Sequence, residues 1–306
     1  MTTQTLRTLV IGTDGVIGTA LYHHLARRGH TLFGTTRRKN KLDSNRTLYL
    51  DLAEPRIAMD RLPEVDIAVV CAAMARFADC RIQPDLARHV NVTAPTALAR
   101  RLVERGAFVV RLSSSAVFDC RTPRVYADRP TAPRSVYGRL QAEAEETVLG
   151  LGKNASILRL TKIMTSDFAL MQNWIAALAR GDSIEAFEDH TLCPLPLASV
   201  VDAATAVLEF RQGGIFQVSG AADISYADLA HHLVRRLGLP STKVIPVRAV
   251  DKGVPAGEVT PFTSMDTTRL TAMTGFVPPE PLSVFDDVFG GMIARLHESA
   301  SNRIWK

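Results

Sequence analysis

"RTLVIGTDGVIGTALYHHLARRGH", residues 7–30, runs from an apolar stretch through three glycines into an amphipathic helical pattern. The first residues are rich in Leu, Val and Ile, which suits a strand buried on both faces. Ile17, Leu21 and Leu25 then recur at helical spacing. Between the two elements Gly12, Gly15 and Gly18 form G-x-x-G-x-x-G. Glycines in a strand-to-helix turn permit a tight bend, let backbone N–H groups approach a pyrophosphate and allow the helix to pack closely, while the helix N-terminus favours an anion. Gly12, Gly15, Val16, Ile17 and Gly18 are therefore candidate contacts to a dinucleotide.

Working outward, the first half of the chain alternates short β-branched runs with helical patterns, as parallel strands joined by right-handed crossovers require. Strands are predicted at 7–12, 31–36, 47–50, 66–71, 108–113 and 155–160. Helices are predicted at 16–28, briefly near 55–61, and at 84–105 and 136–149, with Gly29, Gly106 and Gly150 as helix stops. The fold class expected is an α/β Rossmann fold, a doubly wound parallel sheet with a smaller C-terminal substrate-binding lobe. After Arg159 the alternation breaks. A helix is expected near 167–180, an irregular segment around Pro194 and Pro196, and a helix near 199–211. A late strand follows in "GGIFQVSG", then a helix capped by Ser225, a strand at 244–249, and helices near 266–274 and 282–297. The division expected is 1–160 for the dinucleotide-binding domain and 161–306 mainly for the second lobe, with 214–219 returning to the main sheet.

The second strand ends in Arg37-Arg38, where a Rossmann domain that binds NAD usually carries an acid for the ribose diol. Guanidinium groups match phosphate geometry, so the pair points to the 2′-phosphate of NADP, with NAD as the alternative cofactor. Asp51 and Leu52, at the end of the third strand, are expected to contact the adenine.

The 306 residues carry a formal net charge of +5, but the basic residues are scattered and lack interleaved aromatics or a reader motif, so no nucleic-acid partner is expected. Cys71, Cys80, Cys120 and Cys193 show neither C-x-x-C spacing nor histidine partners, which points to reduced thiols and no metal site. No apolar run approaches the length of a membrane span and no leader precedes the first strand, so a cytoplasmic protein without a membrane partner is expected.

Two further segments carry chemistry. The fifth strand ends in "VVRLSSSAVFDC" (109–120) and a later helix opens within "RPTAPRSVYGRLQAEAEE" (129–146). With "CAAMA" at 71–75, "VNVTAPTALA" at 90–99 and "VDAA" at 201–204, they resemble the extended short-chain dehydrogenase/reductase superfamily, most of all the dTDP-4-dehydrorhamnose reductases. The resemblance covers about the first 220 residues. It implies that Ser114 polarises a substrate oxygen, that Tyr137 is the general acid/base, that Asn91 supports the network behind them, and that Ala72 and Ala73 line the cofactor. It also implies an NADPH-dependent reductase of a 4-keto sugar nucleotide, with a homodimer as one candidate assembly.

In one place the sequence departs from that family, whose lysine four residues after the tyrosine is Gln141 here. Positions i and i+4 share a helix face, so Gln141 is placed to reach the nicotinamide ribose but has no charge with which to lower the phenol pKa. The departure opens a second reading, a non-catalytic or regulatory nucleotide-binding protein. A third, an epimerase or dehydratase on the same scaffold, needs phenolate and NAD, and both Gln141 and Arg37-Arg38 count against it. Lys162, Arg248 and Arg269 are candidates for binding a substrate diphosphate.

Overall fold

The computed structural model describes residues 5–42, 46–54 and 61–304, with side chains described up to residue 296. Thirteen strands are described: β1 (Arg7–Ile11), β2 (Thr31–Thr36), β3 (Thr47–Tyr49), β4 (Ile67–Val70), β5 (Phe108–Ser114), β6 (Ala155–Leu160), β7 (Lys162–Met164), β8 (Ile184–Phe187), β9 (Thr191–Leu192), β10 (Pro194–Pro196), β11 (Gly214–Val218), β12 (Ile224–Ser225) and β13 (Val244–Val247). The α-helices are α1 (Val16–Arg27), α2 (Phe77–Ile82), α3 (Pro84–Arg88), α4 (Ala94–Glu104), α5 (Val136–Leu149), α6 (Ala169–Ala179), α7 (Leu197–Phe210), α8 (Tyr226–Arg236), α9 (Thr268–Thr274) and α10 (Pro281–Ile304).

Seven strands form one sheet in the order β3-β2-β1-β4-β5-β6-β11. Every neighbouring pair is parallel, so the α/β doubly wound sheet expected from the sequence is present. Strand order reverses between β1 and β4, and ligands of such sheets bind in the crevice beyond the strand ends at that point. Side chains alternate between two apolar layers. Val10, Val69 and Val110 pack with Leu21 and Leu25 of α1 and with Val200, Val207 and Leu208 of α7. On the other face, Leu9, Ile11, Val70 and Val109 pack with Leu98 and Leu102 of α4 and Val148 of α5. Because α7, β11 and α9 complete the sheet and its first face, residues after 161 belong to both halves of the molecule.

The remaining C-terminal residues form a second apolar cluster in which Trp174, Leu178, Leu229, Leu233, Phe285 and Phe289 meet. Three two-stranded sheets frame this lobe: β7 with β10, β8 with β13, and β9 with β12. The segment expected to be irregular around Pro194 and Pro196 is strand β10, since proline's missing donor is tolerated at a sheet edge. Ser225 caps α8 as expected, its hydroxyl accepting the Asp228 amide at 2.9 Å. The short helix expected near 55–61 falls almost wholly outside the described residues. Among the described residues no helix is long and apolar enough to cross a membrane.

The helix expected at 84–105 is present as one helical run, α3 passing through a π turn at His89–Thr93 into α4. Pro95 accounts for the π turn, since it has no N–H to give the carbonyl four residues earlier, which belongs to Asn91. Asn91's carbonyl takes a donor from elsewhere, as described below.

One buried ion pair ties α5 to the sheet. Arg159 of β6 donates to both carboxylate oxygens of Glu145, with Nε at 2.9 Å and a terminal nitrogen at 2.7 Å, and also meets the Ala127 carbonyl and the Phe118 ring. Both side chains are at most 3% exposed. Removing one partner strands the other charge, so Glu145→Ala should lower unfolding free energy by about 3–5 kcal/mol. Urea denaturation monitored by circular dichroism measures this, and a loss below about 1 kcal/mol would refute the structural role.

Candidate active site

At the switch point the chain leaves β1 through Gly12, whose φ of +96° is open to glycine but strained for other residues. A Cβ there would lie 2.8 Å from Ala72 Cβ, and one on Gly18 would lie 2.1 Å from the Gly12 carbonyl oxygen. Both glycines are therefore needed by the fold itself. Gly15 differs, because a Cβ there would meet only the Gly12 carbonyl at 3.6 Å and otherwise open space. Gly15 is also the N-cap of α1 and supplies no capping side chain, so the N–H groups at the helix start, around Val16, Ile17 and Gly18, lack such a partner. A free helix N-terminus beside open space is a cradle for an anion, which fits the dinucleotide pyrophosphate.

Beyond it lies a cleft of about 690 Å³, lined by Gly12, Asp14, Gly15, Arg37, Arg38, Asp51, Leu52, Ala72 and Ala73 among others. Gly12, Gly15, Arg37, Arg38, Asp51, Leu52, Ala72 and Ala73 thus converge on one cavity, whereas Val16, Ile17, Gly18, Tyr137 and Gln141 are not part of its lining. Asp51 also accepts the Ala53 amide at 2.9 Å, which fixes the turn after β3.

Asp14 was not anticipated. The sequence reading left the end of β2 without an acid, yet folding brings Asp14 there from the glycine turn. Its Oδ2 accepts from Thr36 Oγ1 at 2.7 Å and from the Arg37 amide at 3.1 Å. Arg38 Nε and Lys41 Nζ lie 3.8 and 3.5 Å from its other oxygen. Burial alone would raise its pKa, but the two hydrogen bonds and the two cations outweigh that and hold it below the usual carboxylate range. Arg38 is thereby shared with a protein carboxylate, whereas the exposed Arg37 guanidinium has no ion-pair partner among the described residues.

The second group of residues gathers where β5 meets α5. Ser114 ends β5, and its hydroxyl accepts the Ala116 amide at 3.2 Å, opening a 3₁₀ turn. Tyr137 sits in the first turn of α5, which Ser135 caps through the Gly138 amide at 3.0 Å. Gly138 lets α5 approach so closely that a Cβ on it would fall 2.1 Å from the Ala116 carbonyl. The Ser114 side chain consequently acts on the Tyr137 phenol, favouring its ionised form. Phe77 covers the phenol, ring centroids 5.3 Å apart, from α2, a helix the sequence reading did not include. Burial pushes the Tyr137 pKa up to about 12, against opposing pulls from Arg111 and the Ser114 hydrogen bond.

Asn91 is fully buried and clamps the cleft-lining loop, accepting the Met74 amide at 2.8 Å and donating to the Met74 carbonyl at 3.0 Å. Gln141 is also buried, one turn beyond Tyr137. Its carboxamide oxygen accepts from Arg111 at 3.1 Å, and the same guanidinium nitrogen donates to the Asn91 carbonyl at 2.6 Å. Sequence reasoning passed over Arg111, which stands third in the quoted strand "VVRLSSSAVFDC". Its signal was a charged residue in an apolar strand whose neighbours are buried on both faces.

The parallel sheet with its crevice at the switch point is a Rossmann-type α/β fold, as the sequence resemblance implied. The match extends along the chain, and residues 6–285 fit the model of the RmlD substrate binding domain, the family to which this chain belongs. It is 30% identical over 249 residues to a probable dTDP-4,6-dihydroxy-2-methyloxan-3-one 4-ketoreductase of Streptomyces antibioticus, covering 79% of this chain and 80% of that one. It is 27% identical over 260 residues to methionine adenosyltransferase 2 subunit beta of Xenopus laevis, covering 81% and 77%. Its fold matches a dTDP-4-dehydrorhamnose reductase of Bacillus anthracis solved in complex with NADP, at a TM-score of 0.78 and 18% identity, covering 94% of this chain and 99% of that one.

The Gly138 contact is the tightest fit at this site. Gly138→Ala should cost about 1–3 kcal/mol through overpacking against Ala116. Thermal melting followed by circular dichroism tests it, and a parent-like melt would show that the two segments separate freely.

Proposed function

We propose that this chain is an NADPH-dependent reductase of a 4-keto sugar nucleotide, with Tyr137 as the general acid. The observation that carries the reading is the buried Tyr137 phenol beside Ser114. Reducing a ketone builds negative charge on its oxygen, which a hydroxyl donor stabilises and an acid neutralises. NADPH, when bound, supplies the hydride equivalent. Tyr137 then gives its proton to the substrate oxygen while Ser114 holds that oxygen by a hydrogen bond. A phenol that burial keeps protonated to about pH 12 suits an acid and resists the role of base that an epimerase or dehydratase demands. That sign also predicts reduction largely independent of this group at neutral pH, and oxidation of the alcohol rising with pH.

The family match and the ketoreductase relative support a 4-keto sugar nucleotide as substrate. Of three basic residues considered for its diphosphate, Arg269 donates to the Ile215 carbonyl near the start of β11, the end of the sheet opposite Ser114. Arg248 lies 3.6 Å from Asp189. Lys162, which follows directly on β6, is the candidate that remains, its ammonium 4.7 Å from the Phe168 ring centroid and its pKa lowered by desolvation. The alternative, a regulatory subunit, draws support from the methionine adenosyltransferase relative and from Gln141. Turnover with keto sugar nucleotides distinguishes the two. If the enzymatic reading holds, Tyr137→Phe should lower kcat by a factor on the order of 10² to 10⁴ with little change in cofactor binding. A Tyr137→Phe variant as active as its parent would overturn the assignment.

Cofactor choice rests on Arg37, since Asp14 already engages Arg38 and Lys41. Arg37→Ala should weaken NADPH binding about tenfold or more and leave NADH nearly unchanged, because a bidentate charge-assisted contact to the 2′-phosphate is lost. Fluorescence titration with both cofactors reads this, and equal losses for the two would remove Arg37 from the phosphate.

A further inference from the structure

The Arg111 guanidinium is 1% exposed, and its surroundings set it apart from an ordinary buried ion. A buried arginine is normally matched by a carboxylate. Here the partners on record are neutral: the Asn91 carbonyl, freed by Pro95, and the Gln141 carboxamide oxygen. Its Nε is buried without a hydrogen-bond partner. The nearest buried carboxylate, Glu145, is already engaged bidentately by Arg159. Arg111, Arg159 and Glu145 together leave one net positive charge under α5.

The groups around the phenol can be enumerated by element. From β5 come Arg111 and Ser114 and from α2 Cys80 and Phe77, while on α5 itself Gln141 and Glu145 lie along the same face and act on Arg111. Arg111 is the cation among them. Its charge and the phenol interact directly, each drawing the other toward the ionised form, while burial opposes ionisation of both and lowers the arginine pKa to about 10. Gln141 shares the helix face of Tyr137 one turn on and accepts from the guanidinium at 3.1 Å.

We propose that Arg111, held by the Asn91 carbonyl and the Gln141 carboxamide, supplies to Tyr137 the buried positive charge that a lysine at position 141 would otherwise supply. Arg111 is a positioning residue, acting on the reacting atoms through Tyr137. The proposal rests on the reading of Tyr137 as the general acid. When Tyr137 passes its proton to the substrate oxygen, the O–H bond of the phenol breaks and a phenolate is left. The fixed guanidinium stabilises that phenolate until solvent reprotonates it. Gln141 is then a consequence of Arg111 rather than a lesion, because a second ammonium at 141 would stand against the guanidinium, whereas a carboxamide oxygen accepts from it.

The test reads the phenol itself. The protein is made with 3-fluorotyrosine, and fluorine NMR follows the ionisation of each of its five tyrosines, with Tyr137→Phe assigning the signal. Three proteins are compared: the parent, the neutral pair Arg111→Met with Gln141→Met, and the charge-swapped pair Arg111→Met with Gln141→Lys. Replacing a buried polar pair by apolar residues of similar volume is commonly tolerated, which keeps the comparison among folded proteins. The neutral pair should raise the Tyr137 titration by about one pH unit or more, and the charge-swapped pair should return it to near the parent. Arg111→Lys alone should stay close to the parent. A neutral pair that titrates like the parent would overturn the proposal, and a charge-swapped pair that stays with the neutral pair would overturn the equivalence of the two positions. Failure of the general-acid reading looks different: Tyr137→Phe keeps turnover while the phenol still responds to Arg111.

Discussion

The carbonyl of Gly12 occupies the space that any side chain on residue 18 would need, 2.1 Å from that Cβ position. This contact presses α1 against the end of β1 and fixes where the helix begins. The cleft, the open face of Gly15 and the position of Asp14 against Thr36 all depend on it. A second approach of the same kind, Gly138 against the Ala116 carbonyl, fixes α5 against the turn after β5 and so brings Tyr137 to Ser114. The two halves of the site are thus located by two glycines, Gly18 and Gly138, each pressed against a backbone carbonyl. Their role is to let backbone meet backbone where a methyl group would hold the elements apart.

Between these contacts lies a polar layer inside an otherwise apolar sheet-helix interface. Tyr137, Gln141 and Glu145 line one face of α5 at four-residue spacing, and Arg111 and Arg159 rise beneath them from β5 and β6. Such a layer contributes less to stability than apolar packing of the same volume, because desolvating charge offsets most of the Coulomb attraction. What it gives is registration. Arg159 accepts one arrangement of Glu145, Gln217 and the Ala127 carbonyl, so α5 has one place along the sheet, and with it the phenol.

The sheet was legible in the sequence because apolar runs and glycine stops report local geometry. Strands at 7–12, 31–36 and 155–160 differ from the observed ones by at most a residue. The residues that line the cleft beyond β1 to β4 were legible for the same reason, because those named there lie close to strand ends. What escaped notice depends on distance along the chain. Asp14 meets the end of β2 across the glycine turn, α2 is only six residues long and too short to show a helical period, and the π turn at His89–Thr93 leaves the apolar pattern of its helix unchanged. Arg111 belongs to this group. A charged residue in a strand says that something must receive it, but its partners, an Asn91 carbonyl and a Gln141 side chain, emerge only when three elements pack.

The late return of the chain to its own sheet bears on how the protein is made. Until β11 has been made, β6 presents an unpaired edge, and the part of the first apolar face that α9 later covers is still open. An exposed parallel edge beside uncovered apolar surface invites association with other chains. The cleft at the strand ends, by contrast, is lined from β1 through Val90 of the segment after β4. A nascent chain stalled before residue 214 therefore already carries the residues of its cofactor cleft, yet remains sticky along one edge.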